Sequence, residues 1–101
     1  MLGKEVKVNG ETLTKEKIAI EFAKRDLPDY MVEGMYNYLT YKIPPGSFMS
    51  AVLCNDLYAA CQCADGTNRF RLFGYIDFLH NEAPTKSFGS YDAYKTWLES
   101  K

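Results

Sequence analysis

The hydrophobic positions after residue 14 recur at intervals of three and four residues, and this spacing predicts a series of short helices. A first helix should follow Thr14, a good N-cap residue, and carry Ile18 and Phe22 on one face. It should end near Arg25, because the residue before Pro28 is disfavoured in the helical region. A second helix then places four large side chains on one face: Met31, Met35, Tyr38 and Leu39.

The start of the second helix and one glycine within it carry specific expectations. Pro28 suits a first helical turn, with Asp26 or Leu27 as the cap and Asp29 near the positive end of the helix dipole. Gly34 shares the apolar face, where the missing side chain should let another backbone approach closely.

Turn-forming residues mark the next helix boundaries. Extended chain over residues 41–45 should lead to a third helix that Ser47 caps. Asn55 and Asp56 then interrupt an apolar run, and both compete for backbone hydrogen bonds. We therefore expect a break at this point, with one of these two side chains capping a fourth helix over 57–64.

The fifth predicted helix is unusually apolar. Gly66 should end the fourth helix in a left-handed conformation, and Thr67 or Asn68 should cap the fifth. The fifth helix carries an apolar stripe and a set of rings around it, namely Leu72, Ile76, Leu79 and Ala83 with Phe70, Phe73, Tyr75 and Phe78. A helix that is apolar around most of its circumference is typically central. Gly74 within it should mark close packing, since glycine costs about 1 kcal/mol relative to alanine.

The two ends of the chain complete the predicted fold. Ser90 should cap a last helix that carries Tyr91, Tyr94, Trp97 and Leu98. Residues 4–14 alternate around Asn9-Gly10, which predicts a β-hairpin or, alternatively, an irregular arm. The fold class is therefore mainly α, a compact bundle of five or six short helices with an N-terminal hairpin or arm. We expect a single domain over residues 1–101.

Composition and charge narrow the classes of function. The chain is 47% hydrophobic and 25% charged with a formal net charge of −1, as in ordinary globular domains. Its acidic and basic residues are interspersed, so no basic stripe is available for double-stranded nucleic acid. No apolar stretch approaches the roughly 20 residues that cross a bilayer, and the N-terminus lacks the apolar core of a secretory signal. We expect no membrane association.

The cysteines and the single histidine do not predict a metal site. Cys54, Cys61 and Cys63 form an odd set, typical of reduced thiols in the cytoplasm. With His80 they could supply four zinc ligands, but structural zinc sites use cysteine pairs two to four residues apart at a turn. Here Cys54 and Cys61 are seven residues apart, and Cys61 and Cys63 point in different directions on a helix. No metal or cofactor is expected.

The sequence also lacks a catalytic constellation. His80 has no neighbouring nucleophile and should instead contact the last carbonyls of its helix. The remaining carboxylates of interest are expected to be helix caps or solvent-exposed: Asp56, Asp65, Asp77 and Glu82. An enzyme would have to bring His80, Glu82 and a thiol or another carboxylate into one pocket. We expect a protein that is not an enzyme.

A series of short segments occurs in a specific order between Pro28 and Leu98: Ile43-Pro44-Pro45-Gly46-Ser47-Phe48, Ala51-Val52-Leu53, Asn55-Asp56-Leu57, Ala64-Asp65, Asn68, Phe78-Leu79, Asn81-Glu82-Ala83-Pro84, Gly89-Ser90 and Trp97-Leu98. This series resembles a group of small uncharacterised proteins encoded by tailed bacteriophages and prophages. That group often has Cys-Trp before the Gly-Ser pair, where this chain has Ser87-Phe88, so no role for that thiol carries over. The resemblance implies a helical core over 28–98, to which residues 1–27 add the hairpin or arm and the first helix.

Aromatic content leads to the main functional expectation. Eight tyrosines and six phenylalanines exceed what a small core can hide, and exposed tyrosines are favoured at protein interfaces. The resemblance implies a phage accessory protein in the bacterial cytoplasm that binds a host protein. Inhibitors of host defence belong to this class of proteins. The expected interface residues are Tyr36, Tyr38, Tyr41, Phe88, Tyr91 and Tyr94. A homo-oligomer is left open.

The alternative is a protein that sequesters a small nucleotide. Free N–H groups at a helix start and a nearby guanidinium together favour phosphate binding. The residues expected to form such a site are Thr67, Asn68, Arg69, Arg71 and Lys86.

Overall fold

Thr14 caps the first helix, as the sequence predicts. The computed structural model describes residues 7–8 and 11–100. The Thr14 hydroxyl accepts a hydrogen bond of 3.1 Å from the backbone N–H of Lys17, and helix α1 runs over Lys15–Lys24. After α1 the chain turns at Asp26, which has a left-handed backbone conformation (φ 56°). The side chain of the next residue, Leu27, is buried.

Five further α-helices follow α1 in the described part of the chain. They are α2 (Val32–Tyr41), α3 (Ser47–Leu53), α4 (Leu57–Cys63), α5 (Leu72–Glu82) and α6 (Tyr91–Glu99). Short 3-10 turns precede α2, α5 and α6, at Asp29–Met31, Asn68–Phe70 and Thr85–Ser87. The radius of gyration is 12.5 Å, which is the size expected of a compact chain of this length. The prediction of a compact, mainly helical protein is confirmed.

Two very short strands precede α1. Strand β1 (Lys7–Val8) pairs antiparallel with β2 (Glu11–Thr12), with Lys7 opposite Thr12 and Val8 opposite Glu11. The Asn9-Gly10 turn of the expected hairpin lies outside the described residues. The hairpin as a whole therefore stays a prediction.

The hydrophobic core is built from the predicted faces of the first helices and from one face of α5. Ile18 and Phe22 of α1 are buried, as are Met35, Tyr38 and Leu39 of α2. Aromatic rings join the helices edge to face, with centroids 4.9 Å apart for Phe22–Phe78, 5.8 Å for Phe22–Tyr75 and 5.4 Å for Phe48–Tyr75. The same Tyr75 ring thus contacts both α1 and α3, which places α5 against the centre of the bundle.

The interruption at Asn55-Asp56 is a structural break, as predicted. Asn55 adopts the left-handed conformation (φ 59°), while the N–H of Asp56 donates to Ala51 at 2.9 Å and that of Asn55 to Val52 at 3.0 Å. These two bonds form a Schellman motif that ends α3. The Asp56 carboxylate then accepts the N–H of Ala59 at 3.1 Å and caps α4. Asn55 therefore ends one helix, and Asp56 begins the next.

Replacing the cap at Asp56 should cost stability without affecting the rest of the fold. Asp56→Ala is expected to lower the free energy of unfolding by about 1 kcal/mol, because the N–H of Ala59 loses its acceptor. Thermal unfolding should then show a melting temperature about 4–8 °C lower. Asp56→Asn is the matched control, since asparagine is an equally good cap. An alanine variant as stable as the wild type would show that the cap contributes nothing.

Other predicted caps are only partly confirmed. Ser90 caps α6 by accepting the N–H of Ala93 at 3.0 Å. Ser47 does not cap α3: Gly46 holds the N-cap position, and Ser47 is the first helical residue. Its sequence position suited a cap, but the helix begins one residue earlier than predicted.

The turns before α2 and α5 also differ from the predictions. Pro28 is extended (ψ 141°) and precedes its 3-10 turn, and no side chain of Asp26 or Leu27 caps that turn. Before α5, Asp65 takes the capping role that was predicted for Thr67 or Asn68, by accepting the N–H of Asn68 at 2.7 Å. Gly89 is the only described glycine with a positive φ, so the left-handed Gly66 is also wrong. The extended residue Ala64 ends α4 instead.

The two interior glycines have different surroundings. A Cβ at Gly74 would lie 2.8 Å from Cδ2 of Leu27 and 3.4 Å from the carbonyl oxygen of Arg25, so close packing is confirmed there. A Cβ at Gly34 would meet nothing within 4 Å, so the close approach predicted there is wrong. Gly34 instead lines a cavity beside α2.

Candidate functional site

Tyr38 lies in the core and not at the surface. Its side chain is 0% exposed, and its hydroxyl donates to the carbonyl oxygen of Ser87 at 2.6 Å. Burial raises the pKa of this phenol well above its ordinary value. The prediction that Tyr38 presents an interface is wrong, because α2 directs the ring inward beside Met35 and Leu39.

Tyr94 and Phe88 belong to the contacts that fasten α6 to the core. The Tyr94 ring stacks on that of Tyr38 with centroids 5.6 Å apart, and its hydroxyl lies 2.9 Å from the Ser50 hydroxyl. The indole N–H of Trp97 donates to the Tyr38 carbonyl at 3.0 Å. Phe88 is half-buried against the core. These side chains hold the helix in place and offer little free surface.

The other three predicted interface tyrosines differ in how much of the side chain is exposed. Tyr36 and Tyr41 are half-buried and contact each other edge to face, with centroids 5.9 Å apart. Tyr91 is 62% exposed. Of the six predicted interface residues, Tyr91 alone is mainly exposed, so the six do not form one open aromatic surface.

Two of the five residues predicted to bind a nucleotide, Asn68 and Arg71, are already engaged within the protein. Asp65 occupies the start of the 3-10 turn, where a phosphate would have to sit, and its carboxylate would repel an anion. Asn68 is buried. The Arg71 guanidinium donates to the carbonyl oxygens of Asp26 and Thr67 and pairs with the Asp26 carboxylate at 3.0 Å. Lys86 lies on a separate turn packed against α6.

The cysteines and His80 do not assemble a reactive or metal-binding centre. Cys61, Cys63 and His80 are exposed, and Cys54 is half-buried with a pKa raised by burial, which disfavours the thiolate. No group of three or more histidine, cysteine, aspartate or glutamate residues is placed to hold a metal ion among residues 7–8 and 11–100.

Two of the acidic residues considered for catalysis belong to a structural ion network with α1. Arg25 donates to the carboxylates of Asp77 at 2.7 Å and Glu21 at 2.8 Å, and it lies 4.0 Å from that of Glu82. The Glu21 side chain is 5% exposed. The hydrogen bond from Arg25 lowers the pKa of Glu21 to about 2, so this buried carboxylate is ionised. The network fixes the end of α1 against α5.

An apolar surface that was not predicted lies around the first half of α5. Phe70 is 84% exposed and Phe73 is 81% exposed, while Leu57 and Ile76 are 68% and 42% exposed. We call these four residues the apolar face. Phe70 and Phe73 line one shallow groove, and Leu57 and Ile76 line another with Leu72. Since Phe73 and Ile76 are one helical turn apart, the two grooves adjoin along α5.

The orientation of α5 explains why this surface was missed. The helix buries Tyr75, Phe78 and Leu79, and this leaves Phe73 and Ile76 on its outer side. The predicted apolar stripe contained Leu79, which is buried, and Ile76, which is exposed. The aromatic rings around that stripe were all expected to be covered by other helices. A signal was present in the sequence, because Tyr75, Phe78 and Leu79 are spaced i, i+3 and i+4 and form a complete buried stripe by themselves. The expectation of a helix covered on all sides is wrong.

Charged groups border the apolar face. Arg71, Asp26, Arg25 and Asp77 line the groove of Phe70 and Phe73, and they are paired with one another across it. Arg69 is exposed next to Phe70 and makes no ion pair with a described residue. The two rings of the apolar face, Phe70 and Phe73, thus lie beside an exposed arginine without an ion pair to a described residue.

Among the described residues, no helix is long and apolar enough to cross a membrane. The resemblance to phage proteins rests on the segments quoted above and stays a prediction. No protein family model, no curated protein and no solved structure matches this chain.

Proposed function

We propose that this chain is a small, non-enzymatic binding protein that attaches to a protein partner through the apolar face. The observation that carries this proposal is the exposure of Phe70 and Phe73, at 84% and 81%, beside a well-packed core. Burying a phenylalanine side chain is worth about 1.5–3 kcal/mol, so two adjacent rings supply a substantial part of a binding energy. Contiguous exposed apolar surface marks interaction sites in soluble proteins.

The chemistry of the partner surface follows from the groups around the two rings. Aromatic side chains and arginine are the residues that most often dominate binding energy at interfaces. Phe70 and Phe73 require apolar pockets, and Arg69 requires an acidic group next to them. The ion pairs of Arg71 and Arg25 leave Arg69 as the cation available for that contact. The proposed partner surface is therefore apolar with an acidic rim.

The resemblance to phage proteins supports a bacterial host protein as the partner, with components of host defence included. In this proposal the protein acts in the bacterial cytoplasm by stoichiometric binding. The engaged state of Asn68 and Arg71 gives the nucleotide-binding alternative no comparable support.

The apolar face can be tested by removing both rings. Phe70→Ser with Phe73→Ser should abolish capture of the partner from a bacterial lysate, measured by quantitative mass spectrometry after affinity purification. Because both side chains are exposed, thermal stability should change by less than about 0.5 kcal/mol. The matched control is Tyr91→Ser, which removes an exposed ring from α6. Arg69→Glu should weaken capture by about tenfold or more if the partner rim is acidic.

The proposal fails if the double serine variant captures the same proteins as the wild type. It also fails if the wild type captures nothing that the double variant loses. Sedimentation velocity tests whether a second copy of the chain, and not a different protein, binds the apolar face. A wild-type dimer that becomes a monomer in the double variant would contradict a distinct protein partner.

A further inference from the structure

A cavity of about 330 Å³ lies between α2 and α3, away from the apolar face. Its walls are mostly apolar and include Met31, Met35, Met49 and Phe48. Gly34 forms part of the wall, and a Cβ added at this residue would meet nothing within 4 Å. Methionine thioethers make favourable contacts with aromatic rings, so these walls suit a flat aromatic molecule. The volume is at the lower end of the range for small-molecule sites.

One polar side chain in the cavity wall has a donor that no described residue accepts. Asn68 is 2% exposed and lines the cavity. Its amide oxygen accepts the hydroxyl of Tyr75, and its backbone N–H donates to Asp65. The side-chain N–H₂ group has no hydrogen-bond acceptor among the residues that the structure describes. Thr40 Oγ1 is the only fully buried side-chain polar atom without a partner among the described residues, so the Asn68 N–H₂ group is accessible and can donate to a ligand carbonyl.

The rim of the cavity also supplies an acceptor, the carboxylate of Asp65, three positions before Asn68 in the chain. Asp65 lines the same cavity, and its two carboxylate oxygens accept the Asn68 N–H at 2.7 Å and the Tyr30 hydroxyl at 2.6 Å. The hydrogen bond from Tyr30, followed by that from the Asn68 backbone, lowers the pKa of Asp65 and keeps it negative at neutral pH. Each oxygen retains a second lone pair that can accept a ligand N–H, while anionic ligands are repelled.

We propose that this cavity binds a small, neutral aromatic molecule with a carboxamide or lactam edge. The ring lies among the methionines and Phe48, the ligand carbonyl accepts the Asn68 side-chain N–H, and the adjacent ligand N–H donates to the Asp65 carboxylate. Asn68 and Asp65 thus read the two neighbouring groups of one amide. The site shares no residue with the apolar face, so it stands independently of the proposed protein partner.

Benzamide, acetophenone and benzoate form a matched set of probes, followed by ¹H–¹⁵N NMR titration of the full chain. Acetophenone keeps the carbonyl but lacks the N–H, and benzoate carries a negative charge. Benzamide should shift the resonances of Gly34 and Asn68 and saturate at roughly millimolar concentration, as suits a fragment of this size. Acetophenone should bind about tenfold more weakly because it leaves the Asp65 contact unmade. Benzoate should give no saturable shifts.

Two variants assign the effect to the cavity. Gly34→Met fills the open space and should abolish benzamide binding, while Gly34→Ala, the control at the same position, should bind within about twofold of the wild type. Asp65→Asn keeps a capping side chain but removes the charge, and benzoate should then bind. The proposal is overturned if benzoate binds the wild type as well as benzamide does, if Gly34→Met leaves binding intact, or if benzamide causes no saturable shifts up to its solubility limit.

Discussion

Tyr38→Ala should lower the free energy of unfolding by about 4 kcal/mol, the range seen when large aromatic side chains are removed from cores. The ring is fully buried, stacks on Tyr94 and donates a 2.6 Å hydrogen bond to Ser87. The variant loses this packing and leaves the Ser87 carbonyl without its donor. Urea unfolding followed by circular dichroism measures the loss.

Two controls separate packing from the hydrogen bond. Tyr38→Phe keeps the ring and removes only the hydroxyl, so it should cost about 1–3 kcal/mol. Tyr91→Ala removes a tyrosine that is 62% exposed and should change stability by less than about 0.5 kcal/mol. If Tyr38→Ala cost no more than Tyr91→Ala, Tyr38 could not occupy the core.

Arg25→Met should destabilise the protein by about 3 kcal/mol at neutral pH, because it removes the main partner of a buried carboxylate. Glu21 would keep only Lys17 at 3.3 Å and Lys24 at 3.2 Å, both more exposed than Arg25. Asp77 would also lose its 2.7 Å contact with the guanidinium. Adding Glu21→Gln to Arg25→Met should restore part of the stability, since the unpaired charge is then absent.

The pH dependence of this effect has a defined sign. In the wild type the folded-state pKa of Glu21 is about 2, below its ordinary value of 4.5. Its ionised form therefore stabilises the protein above about pH 4.5, and that contribution is lost as the pH falls towards 2. In Arg25→Met the lowering hydrogen bond is gone, so protonation relieves the buried charge under milder acid. The stability difference between wild type and variant should shrink as the pH falls through this window.

Chemical denaturation at a series of pH values between 2 and 7 measures that difference. The single variant Glu21→Gln is the control, because it should flatten the acid limb of the wild-type profile. A difference between wild type and Arg25→Met that stays constant over this range would contradict the assigned role of Glu21.

Local signals in the sequence predicted much of the fold. The caps at Thr14, Asp56 and Ser90 and the break at Asn55 depend on the residue itself and its near neighbours. They were therefore accessible from spacing and side-chain chemistry. The shifted start of α3 shows the limit of such reasoning, because glycine and serine can both hold an N-cap position.

The candidate sites depended on tertiary orientation, which spacing could not supply. Tyr38 and Tyr91 are both tyrosines on helices, and only the packing of α2 and α6 makes one buried and the other exposed. On α5, two overlapping apolar stripes competed, and the contact of Tyr75 with Phe22 and Phe48 decides which one faces inward. The cavity at Gly34 is also lined by Asp65 and Asn68, more than 30 positions further along the chain, so no local pattern predicts it.

The attachment of α6 has a consequence for synthesis on the ribosome. The Tyr38 ring stacks on that of Tyr94, and the Tyr38 carbonyl oxygen accepts the indole N–H of Trp97. The Tyr38 hydroxyl donates a hydrogen bond to the carbonyl oxygen of Ser87. All three partners are translated some 49 to 59 positions after Tyr38. Until Ser87 leaves the exit tunnel, the nascent α2 carries a tyrosine hydroxyl whose native acceptor is missing. Completion of the core around Tyr38 therefore waits for the emergence of α6 from the ribosome.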